Sequence, residues 1–512
     1  MLLRIVHPNV HDSLTGVAFH RFGNHFRFRL IALFCKVLSA VKKMLLFFAI
    51  VFFTVSMQAP TTVLTEAMLN NSKSVFIVNK DYTLEGKTIV MPIGKKLVFS
   101  SGSLNNGTLI GRKTEIQVNQ TTPAFGKDII IDGDWDVAEV KDSWFDFDTS
   151  PEFVSNQIIK NLLAFSNDST FCHIIFDENR VYYYELPYKG RPDLGNTVSY
   201  RIVDGKKKRN YAELYNEEYS FLRIFTIPSN THLTVNNTMK MLPTSVGAYF
   251  VFWEYGKENV TIDGSGIISG DNDWHRYDHP FMGKTYYGEW GHIFKCIRCS
   301  DFTFKGITLS DAFGDCIIYS GSSYPKESSP RWASNLILDH VKIIRARRNG
   351  VAVGARGVKI VDCYFEGCGT DSVRGTSPKS AIDFEPDYIT DYPSIGNRDV
   401  VMENCFFIEN YYDVASSVNN LPSYGKTATI IRNCQFTSGI KIRATYWMRF
   451  ERCYIPYLYK NSDSKQYYSK HIEFKSCDFG EDRFTVLRLF NKKNNTFTNC
   501  RFGVTREKQK VE

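Results

Sequence analysis

The chain has 512 residues, of which 43% are hydrophobic and 23% charged, enough apolar material for a large core; this excludes a disordered or low-complexity chain. Its formal net charge is +8, and much of that lies in the first 43 residues, where Arg4, Arg21, Arg27, Arg29, Lys36, Lys42 and Lys43 face the single acid Asp12. The remainder is near neutral, which excludes the basic footprint of a nucleic-acid-binding protein.

Lys42-Lys43, the apolar run from Met44 to Val55 and the following Ser56-Met-Gln-Ala59 have the basic, apolar and small-residue regions of a secretory signal peptide. The run is too short for a membrane span. A signal peptide begins at the N-terminus, so residues 1–40 read as an over-extended gene start, 41–59 as the signal peptide and 60–512 as one exported domain. Its expected location is secreted, periplasmic or at the cell surface. A cytoplasmic extension on an uncleaved anchor is the alternative. Residues 75–142 hold short β-like runs, among them Lys87–Val90, Lys96–Phe99 and Ile129–Trp135, broken by Gly and Asn turns. Residues 152–166 place Val154, Ile158, Ile159, Leu162 and Leu163 at helical spacing with Ser150 as N-cap. This helix is expected to cover an open end of the apolar interior, giving N-terminal coils and cap over 75–170. The β pattern resumes at His173 and runs to about residue 505, interrupted by a polar surface insertion at 187–216.

The later part of the chain repeats itself. Ile360-Val-Asp-Cys363-Tyr-Phe returns as Glu403-Asn-Cys405-Phe-Phe, Arg432-Asn-Cys434-Gln-Phe, Glu451-Arg-Cys453-Tyr-Ile, Lys475-Ser-Cys477-Asp-Phe and Thr498-Asn-Cys500-Arg-Phe, with a basic unit of about 23 residues. Such a unit is too short for a βαβ crossover and carries no helical periodicity. Each strand must therefore stack on its counterpart in the next turn. The predicted fold is all-β: a right-handed parallel β-helix, a single-stranded solenoid with an N-terminal capping helix. The repeated cysteines are expected inward as small apolar residues and mostly free thiols. Cys296 and Cys299 have no second pair at zinc-site spacing, so no metal site is read from them.

With these segments in view, residues from about 75 to 502 resemble right-handed β-helix proteins of the pectate-lyase-like superfamily. The segments Gly288-Glu-Trp-Gly-His292, Gly314-Asp-Cys-Ile317, Arg348-Asn-Gly-Val351 and Ala381-Ile-Asp-Phe-Glu-Pro-Asp387 look like successive coil signatures. The resemblance implies action on polysaccharides. Asp315-Cys316 is similar to the end of the polygalacturonase Gly-Asp-Asp-Cys motif. The chain departs from that enzyme at Gly314, which stands for the first Asp, and at Asn349, which stands for the His, and it lacks Asn-Thr-Asp.

Aligned, the repeats give a column of His292, Asp315, Asn349 and Ser380, each two residues before an apolar β-former. Strict alternation would turn Asp315 into the core, which an unpaired charge does not tolerate. Turns at Gly291, Gly314 and Gly350 are therefore expected to aim the column at water. Asp383 and Glu385 fit an outward face between Ile382 and Phe384. Insertions over 271–290, 321–332, 369–380 and 386–398 would gather Trp274, Tyr277, Tyr286, Tyr287, Trp290, Tyr324, Trp332, Tyr388 and Tyr392 beside a groove for a polysaccharide or oligosaccharide. Glycoside hydrolysis needs an acid and a second carboxylate. The candidates are Asp315 with Asp383 or Glu385, assisted by His292, with Asp311 and Glu289 close by; Arg347, Arg348 and Asn349 would bind substrate. A glycoside hydrolase is the leading expectation, with no cofactor. A polysaccharide lyase acting on a uronate, with calcium as a possible ion, and a glycan-binding or adhesive protein are the alternatives.

Overall fold

The computed structural model describes residues 62–147, 153–187, 200–203, 206–209, 222–277, 290–321, 332–386, 396–417, 425–443, 445–460, 469–490 and 494–506. Residues 62–512 form one compact unit, and the proposed signal peptide and gene-start extension lie outside the described residues. Among the described residues, no helix is long and apolar enough to cross a membrane.

The chain winds into a parallel β-helix. Three parallel sheets form its faces, and each strand pairs with the equivalent strand one coil later. On the first face, Ser300–Lys305 pairs with Ala333–Asp339, which pairs with the second half of Asn349–Val361, then with Arg398–Glu403 and Thr429–Arg432. On the second, Thr308–Ser310, Lys342–Ile344, Tyr364–Glu366 and Phe406–Ile408 follow one another. On the third, Ala248–Tyr255, Trp290–Ile297, Ile317–Ser320, Asn349–Val361, Ser380–Phe384, Tyr412–Ser417, Ile440–Arg443 and Leu458–Lys460 do the same.

The repeated cysteine motif marks the corner between the first and second faces. The residue before each motif cysteine is held at positive φ: Asp362 at 53°, Asn404 at 55°, Asn433 at 55°, Arg452 at 51°, Ser476 at 52° and Asn499 at 54°. Asn and Asp tolerate this left-handed geometry best, because their short polar side chains bond locally. Here they also bond along the axis: Asn404 Nδ2 donates to Asp362 Oδ1 at 3.1 Å, and Asn433 Nδ2 to Asn404 Oδ1 at 3.2 Å. The following cysteines are free; Cys363, Cys405, Cys434, Cys453 and Cys477 are buried and Cys500 partly so. Inside, aromatic rings stack at the coil spacing, with centroids 4.7 Å apart for Phe252 and Phe294, 4.8 Å for Phe365 and Phe407, and 4.9 Å for Phe474 and Phe497.

The expected helix spans Asn156–Leu163, and Ser155 occupies its N-cap; Ser150 lies outside the described residues. Ile158, Ile159, Leu162 and Leu163 are buried. Its Asn161 serves the edge strand Ile129–Asp136 as a backbone surrogate, accepting from Ile131 N–H at 3.0 Å and donating to Ile129 O at 2.8 Å. The helix thus closes strand groups that a solenoid end would leave unpaired. A shorter helix, Glu66–Asn71, precedes the first coils and buries Leu69.

The connections differ by corner. Between the first and second faces they take two or three residues from Thr231 onward, as from Lys305 to Thr308 or Glu403 to Phe406. Beside the third face they range from two residues, as from Ile297 to Ser300, to the long segments 270–289, 321–332, 367–379, 385–397 and 418–428, so the long insertions lie along its borders. Truncating a stacked ring tests the packing: Phe407→Ala should lower the unfolding free energy by about 3–5 kcal/mol. A loss under about 1 kcal/mol in urea titrations would contradict the inward ladder.

Candidate functional site

The register confirms one column and changes its environment. Phe250 pairs with His292 and Asn349 with Ser380, which pairs with Tyr412. His292, Asp315, Asn349 and Ser380 are all buried, contrary to the expectation that glycine turns aim them at water. Gly291 and Gly350 lie within strands. They are small because space is short: a Cβ would fall 2.6 Å from Phe313 Cβ at Gly291 and 2.5 Å from Ala381 O at Gly350. The buried polar column is partly satisfied from within, while His292 Nε2 and Asn349 Nδ2 have no hydrogen-bond partner among the described residues. Asp315 N–H donates to His292 Nδ1 at 3.0 Å, Asn349 N–H to Asp315 Oδ1 at 3.0 Å, and Ser380 N–H and Oγ to Asn349 Oδ1 at 3.1 Å.

This arrangement also corrects the role expected of His292. Its Nδ1 is an acceptor, and burial, reinforced by Lys295, Arg348 and Arg347, holds the imidazole well below its ordinary value. Asp315 Oδ2 lies 4.0 Å away but does not charge the ring. Asp315 is instead paired with Arg348 Nη1 at 2.5 Å. Burial pushes its carboxyl up, against the opposing pull of Arg348.

The second column is the outer one. Trp253, Lys295, Ile318, Ala352, Asp383, Ala415, Lys441 and Tyr459 stand in register on successive coils. Lys295, Ile318, Ala352 and Lys441 are partly exposed, and Tyr459 more so, which fixes this as the outward side. Asp383 faces the same way between inward Ile382 and Phe384, yet only 1% of it is exposed. Burial raises its carboxyl well above the usual range, Glu385 raises it further by charge and by a shared hydrogen bond, and Arg348 opposes both. Asp383 Oδ2 has no hydrogen-bond partner among the described residues. Glu385 lies at the exposed end of the pair. Lys441, two coils on, is held below its ordinary value by burial and by Arg443.

Other expected site residues are placed elsewhere or engaged. Asp311 forms a two-pronged pair with Arg345, at 2.8 and 2.7 Å. Arg347, expected to bind substrate, is 1% exposed; its Nε donates to Phe313 O, and its Nη1 to Arg374 O and Thr376 Oγ1. Such wiring, with its guanidinium 3.9 Å over the Phe313 ring, anchors the 369–379 segment. Trp274 turns to the second face, where its Nε1 donates to Met241 O at 3.0 Å and Lys240 lies 4.3 Å over its ring. Trp290 is buried beneath Lys295, Trp332 lies under Arg356, and Tyr277 under Arg374. The expected gathering of aromatics is therefore not seen for these four. Glu289, Tyr286, Tyr287, Tyr324, Tyr388 and Tyr392 lie outside the described residues.

Two groups escaped sequence reasoning. Lys295 and Lys441 were legible in principle, because each stands three residues after its coil's first-column position, as Asp383 does after Ser380. A buried network of Asp271 with Tyr249 Oη and His275 Nδ1, the latter at 2.8 Å, has no repeat signature. Among the described residues, Asp339, His340 and Asp362 bring three possible metal ligands within 4.8 Å of one another, at the corner between the first and second faces. Asp362 there also accepts from Asn404, as part of the turn ladder.

No family model matches the chain. An uncharacterized protein, YclG, of Bacillus subtilis (strain 168) is 31% identical over 202 residues, 39% of this chain and 33% of that one. The match thus spans about a third of the curated relative's length. Among solved structures, a mutant tailspike protein of E. coli bacteriophage HK620 gives a TM-score of 0.42 at 10% identity, over 67% of this chain and 57% of that one. Tailspike protein gp49 of Acinetobacter baumannii bacteriophage Fri1, described as a capsular polysaccharide depolymerase, gives 0.27 at 11% identity, over 88% and 64%.

The raised Asp383 carboxyl has a consequence for stability. The protonated form belongs to the fold, so its contribution is present below the unfolded value of about 3.9 and is lost as pH rises through the higher folded value. From about pH 4 upward the wild type should therefore lose stability relative to Asp383→Asn. Urea midpoints measured across that range check this, and a pH-independent difference would refute the enclosed carboxyl.

Proposed function

We propose that this β-helix is an exported carbohydrate-active enzyme that hydrolyses a glycosidic bond on the outer side of its third face. The observation carrying this reading is the Asp383–Glu385 pair: an enclosed carboxyl whose proton affinity burial and the neighbouring Glu385 raise well above the usual carboxylate range, two residues before an exposed one. A group poised in this way can protonate a leaving glycosidic oxygen, as the first half of the reaction requires. Glu385 sits where water reaches the pair and is assigned to activate water or attack the sugar carbon. Asp315 is too enclosed to meet a polymer directly. Its role is to fix Arg348, whose charge restrains how far Asp383 is raised.

A lyase reading is favoured by one observation, the Lys441 amine held below its ordinary value in the Asp383 column. An amine of that kind can abstract the proton beside a uronate carboxylate. The two reactions leave different chain ends: elimination creates an ultraviolet-absorbing unsaturated sugar, and hydrolysis a plain reducing end.

The test is a screen of purified protein against a polysaccharide panel with identification of the new ends. Asp383→Asn should lower turnover about 10²–10⁴-fold while leaving glycan affinity within a few-fold. Arg348→Ala should also lower turnover, with an altered pH profile, because Asp383 loses its opposing charge. Binding without turnover by the wild type on any polymer would instead identify a lectin-like or adhesive protein. Unsaturated ends, lost in Lys441→Gln, would establish the lyase.

A further inference from the structure

Beyond the carboxyl pair, toward the C-terminus, the third face carries a group of exposed rings. Tyr411, Tyr457 and Tyr459 are 47%, 52% and 39% exposed, and Tyr412 is partly so. Their centroids lie 4.7 Å apart for Tyr411 and Tyr412, 5.1 Å for Tyr412 and Tyr459, and 6.2 Å for Tyr457 and Tyr459. Four adjoining tyrosines form a continuous surface. Core packing does not account for three rings left this open, and clustered exposed aromatics mark binding surfaces.

Backbone register sets where this surface lies. Tyr412 stands opposite Ser380, one coil above the strand of Asp383. Lys441 is two coils above Asp383 in the same outward column and Tyr459 three, with only Ala415 between Asp383 and Lys441. At about 4.8 Å per coil, the platform covers roughly 5–14 Å from the carboxyl pair along the axis.

The surroundings are cationic. Lys379 Nζ lies 4.9 Å over the Tyr411 ring and Lys441 Nζ 4.8 Å over Tyr412, and Arg443 is close enough to depress Lys441. Two acids share the region, Glu481, which accepts Leu458 N–H at 2.9 Å, and buried Asp413, which accepts the N–H groups of Ser438 and Gly439 at 2.7 and 2.8 Å; the three cations outnumber them, and Lys379 Nζ also donates to Asp371 O at 2.7 Å. Aromatic faces with ammonium groups beside them suit sugar rings that carry carboxylate or sulfate.

We propose that Tyr411, Tyr412, Tyr457 and Tyr459, with Lys379 and Lys441, form a binding site for an anionic glycan, holding the part of the chain that lies on the C-terminal side of Asp383. The inference deepens the proposed function and rests on it for the ligand class. Binding, however, is measurable without turnover.

The experiment is affinity electrophoresis of the full chain in gels containing polygalacturonate, hyaluronan or chondroitin sulfate, with dextran and laminarin as neutral controls. Asp383→Asn, whose turnover is expected to be lowered, is run beside the wild type. At least one anionic polymer should retard both proteins, and the neutral polymers neither. Tyr411→Ala/Tyr459→Ala should weaken the retarding interaction about tenfold or more, and Tyr459→Trp should preserve it, as expected for losing or keeping base-like stacking surface. Lys441→Gln should weaken it and flatten its salt dependence. Circular dichroism monitors folding, and the tryptophan and glutamine variants leave the surface filled. No retardation by any anionic polymer, equal retardation by neutral ones, or no change in the tyrosine double variant would overturn the site. Retardation of a wild type that turns over none of the polymers would keep the site and remove the enzyme.

Discussion

In a parallel solenoid, hydrogen bonding between equivalent strands forces each position to stand on its own counterpart about 4.8 Å away. Whatever one coil places at a corner, the next must accommodate at the same corner. That constraint explains why residues held at positive φ recur from Asp362 to Asn499, and why Asn404 and Asn433 bond to the residue below rather than to their own coil. It explains the inward rings that stack at coil spacing. It also puts polar groups on polar groups, so that His292, Asp315, Asn349 and Ser380 are buried as a bonded file rather than as isolated costs.

The parts of this protein that were readable from residues are those where local geometry limits residue choice. A corner needing positive φ admits Asn, Asp and Gly most readily and leaves a short motif that repeats. Strand alternation placed Asp383 outward between Ile382 and Phe384 for the same kind of reason. Exposure was not readable. The third face is buried on both sides in Trp290–Ile297 and Ser380–Phe384, so the rule that outward means wet fails there. Alternation describes a strand, whereas enclosure depends on segments distant in sequence and without any period. Arg347 shows the same limit: its chemistry suits an anionic substrate, but the Phe313 and Arg374 carbonyls reach it first.

The outer column extends past the most distinctive motifs. Lys441 and Tyr459 belong to coils whose sequences carry no acid signature, yet register ties them to Asp383 as firmly as it ties Ala352. Function in such a fold is distributed by column, and the relevant neighbours of a residue are found one repeat away rather than a few residues away.

The outer surface of a β-helix is flat and open to water, where a carboxyl ordinarily gives up its proton near pH 4. Raising Asp383 therefore requires something beyond the coils themselves. The regular corner between the first and second faces, with its two- or three-residue connections, offers no material for this; the borders of the third face do. Arg348 links one border to the sheet: its Nε donates to Ser377 O and its Nη1 to Asp315 Oδ2, while its charge acts on Asp383. The regular coils supply the column, and burial together with the charges of Glu385 and Arg348 makes one member of it chemically different from its neighbours. Substitutions in the coils should consequently act on stability first, and substitutions at Arg348 or in the bordering segments on proton affinity first, because the two properties are carried by different parts of each repeat.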